Sequence, residues 1–301
     1  MLGAGAAGAG AQHARVPRMP DGRPDLQGVW DLRTATPLER RKEFLDKAFF
    51  TPEEAAEFER REAQRIAGTV AVHAPGWLDY GPKLLPDLRT SLVVDPPEGR
   101  IPAMTAAGRQ RAAARAARRK ATGLDGPEAF SIQERCLVFG VGPPLLPGPY
   151  NNNVQIVQTP NAVMIYTEMI HDARIIPLDG RPRRPPHLRT WLGDSRGWWE
   201  GETLVVETTS FMPEAAFRGN SEVAFRGWDE HLRVVERFTR TGRDSLGYEF
   251  TVENPAAFTR PWTGRLRMAR SSEMIYEYAC HEGNYGLVNM LTAARSDEGG
   301  R

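Results

Sequence analysis

The sequence predicts a mainly β protein whose antiparallel strands form a sandwich or a barrel. Three observations carry that expectation. From Phe130 onward, short apolar runs follow one another, each bounded by Gly, Pro or Asn. The turns between them are short, which suits hairpins rather than βαβ units. The stretch from Pro147 to Pro177 holds two apolar runs, Val154 to Thr159 and Ala162 to Ile170, split by a Pro-Asn turn. That is a hairpin signal.

Size and charge narrow the function. A chain of 301 residues is long enough to bury a substantial core. Its 39 Lys and Arg nearly cancel its 38 Asp and Glu, so no nucleic-acid partner is expected. No apolar run approaches the roughly 20 residues that span a bilayer, so no membrane insertion is expected. Met1 to Gln12 is almost all Gly and Ala: either a secretion signal trimmed near Ala11 or a disordered tail. The two cysteines, Cys136 and Cys280, suit one bridge in an oxidising compartment, or two buried thiols. The organisation that follows is a leader over 1–20, one β domain over 21–296 with a helical insertion at about 39–125, and a tail at 297–301.

The elements come in order. Asp21-Gly22 is a turn, and Leu26 to Leu32 a short strand. Glu39 to Gly68 reads as helix; Thr51-Pro52-Glu53-Glu54 is a capping box with Pro at the first helical position. Val70 to Pro86, with Trp77 and Tyr80, reads as loop. Arg89 to Pro102 is a strand and a Pro-Pro-Glu-Gly turn. Thr105 to Thr122 is a second helix, basic at Arg109, Arg111 and Arg115, with no aromatic platform between the charges. Arg189 to Leu192 and Trp198-Trp199 lead through Glu200-Gly201 into Thr203 to Phe211, a hairpin. Leu232 to Thr239 pairs with Leu246 to Val252, and Leu266 to Met268 with Met274 to Ala279.

Gly28-Val29-Trp30 resembles the first-strand Gly-x-Trp of the lipocalin-like (calycin) proteins, whose Trp closes one end of the barrel. The fragments DSRGWWEGETLVVET, ERFTRTGRDSLGYEFTV and MIYEYACHEGNYG are similar to a widespread set of uncharacterised, exported bacterial proteins. The likeness covers most of Asp21 to Ala294. It implies a lipocalin-like antiparallel barrel with helical insertions near the N-terminus, in a periplasmic or secreted protein. It implies no activity, and function must be argued from the site.

Alternation places the candidate groups. Leu232, Val234, Glu236 and Phe238 share one strand face, so an inward apolar face carries Glu236 with it. A buried carboxylate is costly unless paired, and suits acid/base work when its proton affinity rises. The same parity puts Tyr248 inside. If the hairpin strand continues, Tyr166, Glu168, Ile170, Asp172 and Arg174 share a face. His171, and the pair His281 and Glu282 at a strand end, are further acid/base candidates. Tyr150, Asn152 and Tyr276 lie at strand ends, where aromatic and amide groups would line a barrel mouth.

These groups suggest a cofactor-independent acid/base enzyme, a lyase, isomerase or cyclase, acting on a hydrophobic or aromatic small molecule in a barrel cavity. Glu236 and His171 would move protons, Asp172 or Glu168 would orient the imidazole, and Arg174 would hold an anionic or carbonyl group. His281 and Glu282 are the alternative pair. Tyr150, Asn152, Tyr166, Tyr248 and Tyr276 would bind substrate. Two other readings stay open: a periplasmic carrier of an apolar ligand, and a metal-dependent hydrolase using His171, His281 and a carboxylate. HExxH, CxxC, GxSxG and Walker motifs are absent, so no metal and no cofactor is assigned.

Overall fold

A computed structural model describes residues 16–70, 81–121, 124, 126–138, 142–213 and 229–299. The Ala/Gly leader to Gln12, Trp77 and Tyr80 lie outside the described residues. Ten strands appear among those described: β1 (Gly28–Asp31), β2 (Val93–Asp95), β3 (Asn153–Gln158), β4 (Ala162–Thr167), β5 (Ala173–Pro177), β6 (Asp194–Glu200), β7 (Thr203–Thr209), β8 (Arg233–Gly242), β9 (Ser245–Glu253) and β10 (Trp262–Arg270). Nine run antiparallel in the order β5-β4-β3-β1-β10-β9-β8-β7-β6, and β2 pairs with β10 beside them. Between the sandwich and the barrel, the chain forms a nearly closed barrel.

Period-two alternation builds the barrel wall. In β8 and β9 every second residue is buried, and the register sets Val234 opposite Val252, Glu236 opposite Phe250 and Phe238 opposite Tyr248. Inward side chains from both halves fill the interior: Trp30, Phe211, Phe238, Tyr248, Phe250 and Trp262 are each 1% exposed or less. Phe250 and Trp262 meet edge-on at 5.6 Å, a preferred aromatic geometry. Gly264 makes that possible, because a Cβ there would lie 2.2 Å from the Phe250 ring. Trp30 hydrogen-bonds through Nε1 to Leu26 O at 2.9 Å, and the Arg240 guanidinium covers its ring at 4.7 Å.

Among the described residues, large side chains therefore pack much of the interior. Where an apolar barrel cavity was expected, a void of about 10 Å³ lies among the described residues, between Leu145, Ile165, Asp172, Arg174 and Leu192. Eight or so strands give an interior that side chains can just fill. The open edges β5 and β6 meet at Gly197, where a Cβ would sit 2.8 Å from Ile176 and 2.7 Å from Leu178.

The helices lie outside the barrel. In α1 (Pro52–Val70), Thr51 and Glu54 exchange capping-box hydrogen bonds at 2.9 and 3.3 Å, and Phe58 packs on Phe50 and Leu84. The predicted helix over Glu39 to Gly68 is thus shorter, preceded only by a turn of 3₁₀ helix at Lys42–Phe44. The α2 helix (Ala106–Ala121) starts at the Thr105 hydroxyl, which accepts from Gly108 N.

Three expectations change. In Arg189 to Leu192 only Thr190 makes a β contact, a single parallel bridge to Phe211; Trp191 and Leu192 are a turn, and the strand begins at Asp194. Met274 to Ala279 pairs with no strand and crosses the barrel rim as irregular chain. The tail expected at 297–301 overlaps α3 (Tyr285–Gly299), so the C-terminal region is not β to its end. Asn284 begins α3 by accepting from Leu287 N, and Leu287 and Leu291, one turn apart, pack against Phe130 and Ala129. The aromatic alternation of Tyr276-Glu277-Tyr278 imitates a strand but serves a cleft.

Candidate functional site

The predicted continuous strand from Tyr166 to Arg174 is broken. β4 ends at Thr167, and a tight corner follows in which Ile170 and His171 take positive φ, 59° and 48°. A β-branched residue in that region is strained, by about 1–3 kcal/mol, and persists only when packing holds it. Packing does hold it here: Met169 and Ile170 are buried beneath Tyr150, Tyr278 and Cys280. The break separates the residues that strand geometry would have put on one surface. Glu168 goes to the rim, while Asp172 and Arg174 both border the small void inside the barrel.

Arg174 turns into the barrel. Its Nη1 and Nη2 donate to Glu236 Oε2 and Oε1 at 2.5 and 2.9 Å, and Tyr248 Oη donates to the same carboxylate at 2.8 Å. Tyr248 Oη in turn accepts from Leu145 N at 2.8 Å. Burial opposes the Arg174 charge, but the facing carboxylate outweighs it and raises its proton affinity further. Burial, then the Glu236 charge, pushes the Tyr248 hydroxyl well above its usual range. Glu236 is inward, as alternation requires, and sealed at 0% exposure in a fully satisfied ion pair. His171 is exposed and does not join it.

Asp172 borders the same small void as Arg174. Burial raises its carboxyl to about 6, against an opposing pull from His171. Its Oδ2 is buried with no hydrogen-bond partner among the described residues.

Glu168 goes to the rim. It is 3% exposed. Asn153 Nδ2 donates to Oε2 and Tyr276 N to Oε1, each at 3.2 Å. The carboxylate thereby pins the crossing segment to the barrel. The disulfide Cys136–Cys280, with Cα atoms 5.8 Å apart, pins it a second time, and Asn284 Nδ2 donates to Glu134 O as a third tie.

Between these ties lies an open cleft of about 980 Å³. Tyr150, Tyr276 and Tyr278 line it, with Glu168, Glu273 and Glu277. The Tyr150 and Tyr278 rings are nearly parallel, 7° apart with centroids at 6.5 Å. Burial first, then a hydrogen bond with Tyr150, raises the Tyr278 hydroxyl. Asn152 stands behind Tyr150 and closes its turn, accepting from Gly148 N at 2.7 Å. Tyr166 is half-buried on the opposite face of β4 from Ile165 and Thr167. His281 and Glu282 are exposed beside the cleft and do not line it.

Sequence reasoning missed Glu134, Glu273, Glu277, Tyr278 and the role of Asn153. One signal was available. A bridge between Cys136 and Cys280 brings Glu134 and Tyr278, each two residues from a cysteine, to the same place.

The metal reading loses one carboxylate, since Glu236 is committed to Arg174. Among the described residues, three ligand-type groups converge only at Asp229, Glu230 and His231, within 4.8 Å of one another. Arg111 and Arg115 approach Asp229 to 3.8 Å, and Asn254 Nδ2 donates to it at 2.8 Å. Two cations beside the only buried carboxylate of that group disfavour a metal ion there.

No protein-family model matches the chain, and no curated protein or solved structure matches it either.

Proposed function

We propose that the chain is an exported, lipocalin-like binding protein that carries a small organic molecule with an aromatic or apolar body. The rim cleft is its site. The observation that carries this reading is the contrast between a barrel interior packed with side chains and an open cleft lined by three tyrosines and carboxylates. Aromatic walls with a few fixed polar groups are what small-molecule sites require. The disulfide supports an oxidising compartment, where such bridges persist. The near-closed barrel with Trp30 buried under Arg240 supports the lipocalin-like affinity.

Native mass spectrometry of protein purified from an oxidising compartment tests the reading. The expected result is a co-purified organic molecule, released on unfolding and unchanged after long incubation. Reduction of Cys136–Cys280 should release it from the native fold. Protein that stays bare, and takes up no compound from a cell extract, overturns the proposal.

A second reading is the acid/base enzyme. Asp172 favours it, because a carboxyl that titrates near 6 is poised for proton transfer at ordinary pH. Its group lies outside the rim cleft, so this reading requires a substrate that reaches the β4–β5 corner. Conversion of the co-purified molecule, lost in Asp172→Asn, would move it to the front.

A further inference from the structure

We infer that the rim cleft selects an organic cation: a protonated amine on an aromatic or apolar stem. The inference rests on the cleft being the ligand site and adds the ligand's charge.

Two buried groups ask for the same thing. Glu168 is 3% exposed, and no cation pairs with it among the described residues. Its hydrogen bonds among the described residues come from two neutral donors, each at 3.2 Å. A buried carboxylate held this way lacks the countercharge that normally offsets its desolvation. Beside it, Asn153 is 5% exposed and lines the cleft. Its Nδ2 is used on Glu168, and its Oδ1 is buried with no partner among the described residues. An acceptor without a donor next to an anion without a cation is the complement of an ammonium group. An alcohol would satisfy Asn153 but leave Glu168 uncompensated. A carboxylate ligand would be repelled.

The surroundings agree. Glu277 is exposed at the cleft with no ion pair among the described residues. Arg33, the cleft's cation, already pairs with Asp31 at 2.7 Å and lies 3.8 Å from Glu273. The tyrosine faces suit an organic cation, which gains about 0.5–2 kcal/mol over an aromatic ring. A hard metal ion needs six or so oxygen ligands, and the buried pair offers too few.

The test uses the full, disulfide-intact chain and four phenyl-bearing probes: 2-phenylethylamine, benzyltrimethylammonium, 2-phenylethanol and 3-phenylpropionate. Calorimetry should rank 2-phenylethylamine first, at least about tenfold tighter than 2-phenylethanol. Benzyltrimethylammonium, a cation without N–H donors, should fall between them, and 3-phenylpropionate should bind weakest. Glu168→Gln supplies a second readout. If Asn153 turns its amide over, a glutamine there can donate to Asn153 Oδ1 and keep an acceptor for Tyr276 N, so its melting temperature should hold within about 2–4 °C. The same variant should lose the preference for amine over alcohol. Equal binding of amine and alcohol, or tighter binding of the carboxylate, overturns the inference and leaves the rim site standing. Displacement of the amine by calcium chloride at constant ionic strength overturns it in favour of a metal. Failure of all four probes at millimolar concentration sinks the rim site and the inference together.

Discussion

At the scale of single residues, the barrel interior and its rim handle charge in opposite ways. Inside, Glu236 has a bidentate guanidinium and a tyrosine hydroxyl, so nothing is left for a ligand. Breaking such a pair by removing one member leaves an uncompensated buried charge. Glu236→Ala should therefore cost about 3–5 kcal/mol in urea unfolding, whereas the double change Arg174→Met with Glu236→Leu should cost far less. A double variant as unstable as the single one would mean the pair contributes net stability of its own. Asp172 gives a pH signature. Folding raises its carboxyl from 3.8 to about 6, so the folded state binds that proton more tightly than the unfolded chain. Its stabilising effect is complete below about pH 4 and lost as pH rises through about 6. Asp172→Asn should be no more stable than the native chain at pH 4 and more stable at pH 7, by on the order of 1–2 kcal/mol. A difference independent of pH would show that Asp172 does not titrate this way. Glu236 was legible in the sequence because one strand's parity decides its direction. Glu168 was named for the wrong neighbours, because no parity argument survives a corner made by two positive-φ residues, Ile170 and His171.

At the scale of elements, the corner after β4 and the segment between β10 and α3 together make the cleft. Ile170 is held in a strained conformation so that its side chain and that of Met169 can support Tyr150 and Tyr278. Ile170→Gly should remove the backbone strain but empty the floor, so ligand binding should weaken more than stability does. Equal binding would place the ligand elsewhere. The bridge Cys136–Cys280 encloses 144 residues of separation, and its loss should cost about 2–5 kcal/mol. Edge closure depends on Gly197: a Val there should force Ile176 and Leu178 aside and part β5 from β6, exposing unpaired strand edges. Aggregation on heating would report it, and an unchanged melting profile would contradict it. Hairpins such as β6–β7 and β8–β9 were readable from alternation and Gly turns. The helix α3 was not, because its apolar stripe is only Leu287 and Leu291, and its partner surface at Phe130 is remote in sequence.

For the molecule as a whole, the described strands pack large side chains into the barrel interior, and the proposed binding site is therefore the rim. The expected fold class followed from strand period and turn chemistry, both local. The location of the site depended on a disulfide, a corner and a crossing segment, all long-range, and composition and parity do not encode those. Which surface receives the ligand is the central claim, and amide NMR of the full chain titrated with 2-phenylethylamine tests it most directly. The account predicts shifts at Tyr150, Asn153, Glu168 and the 273–284 segment, with Phe238 and Phe250 in the interior strands unmoved. Perturbations running along β8 and β9 instead, with the rim silent, would mean the ligand enters the barrel and would contradict it.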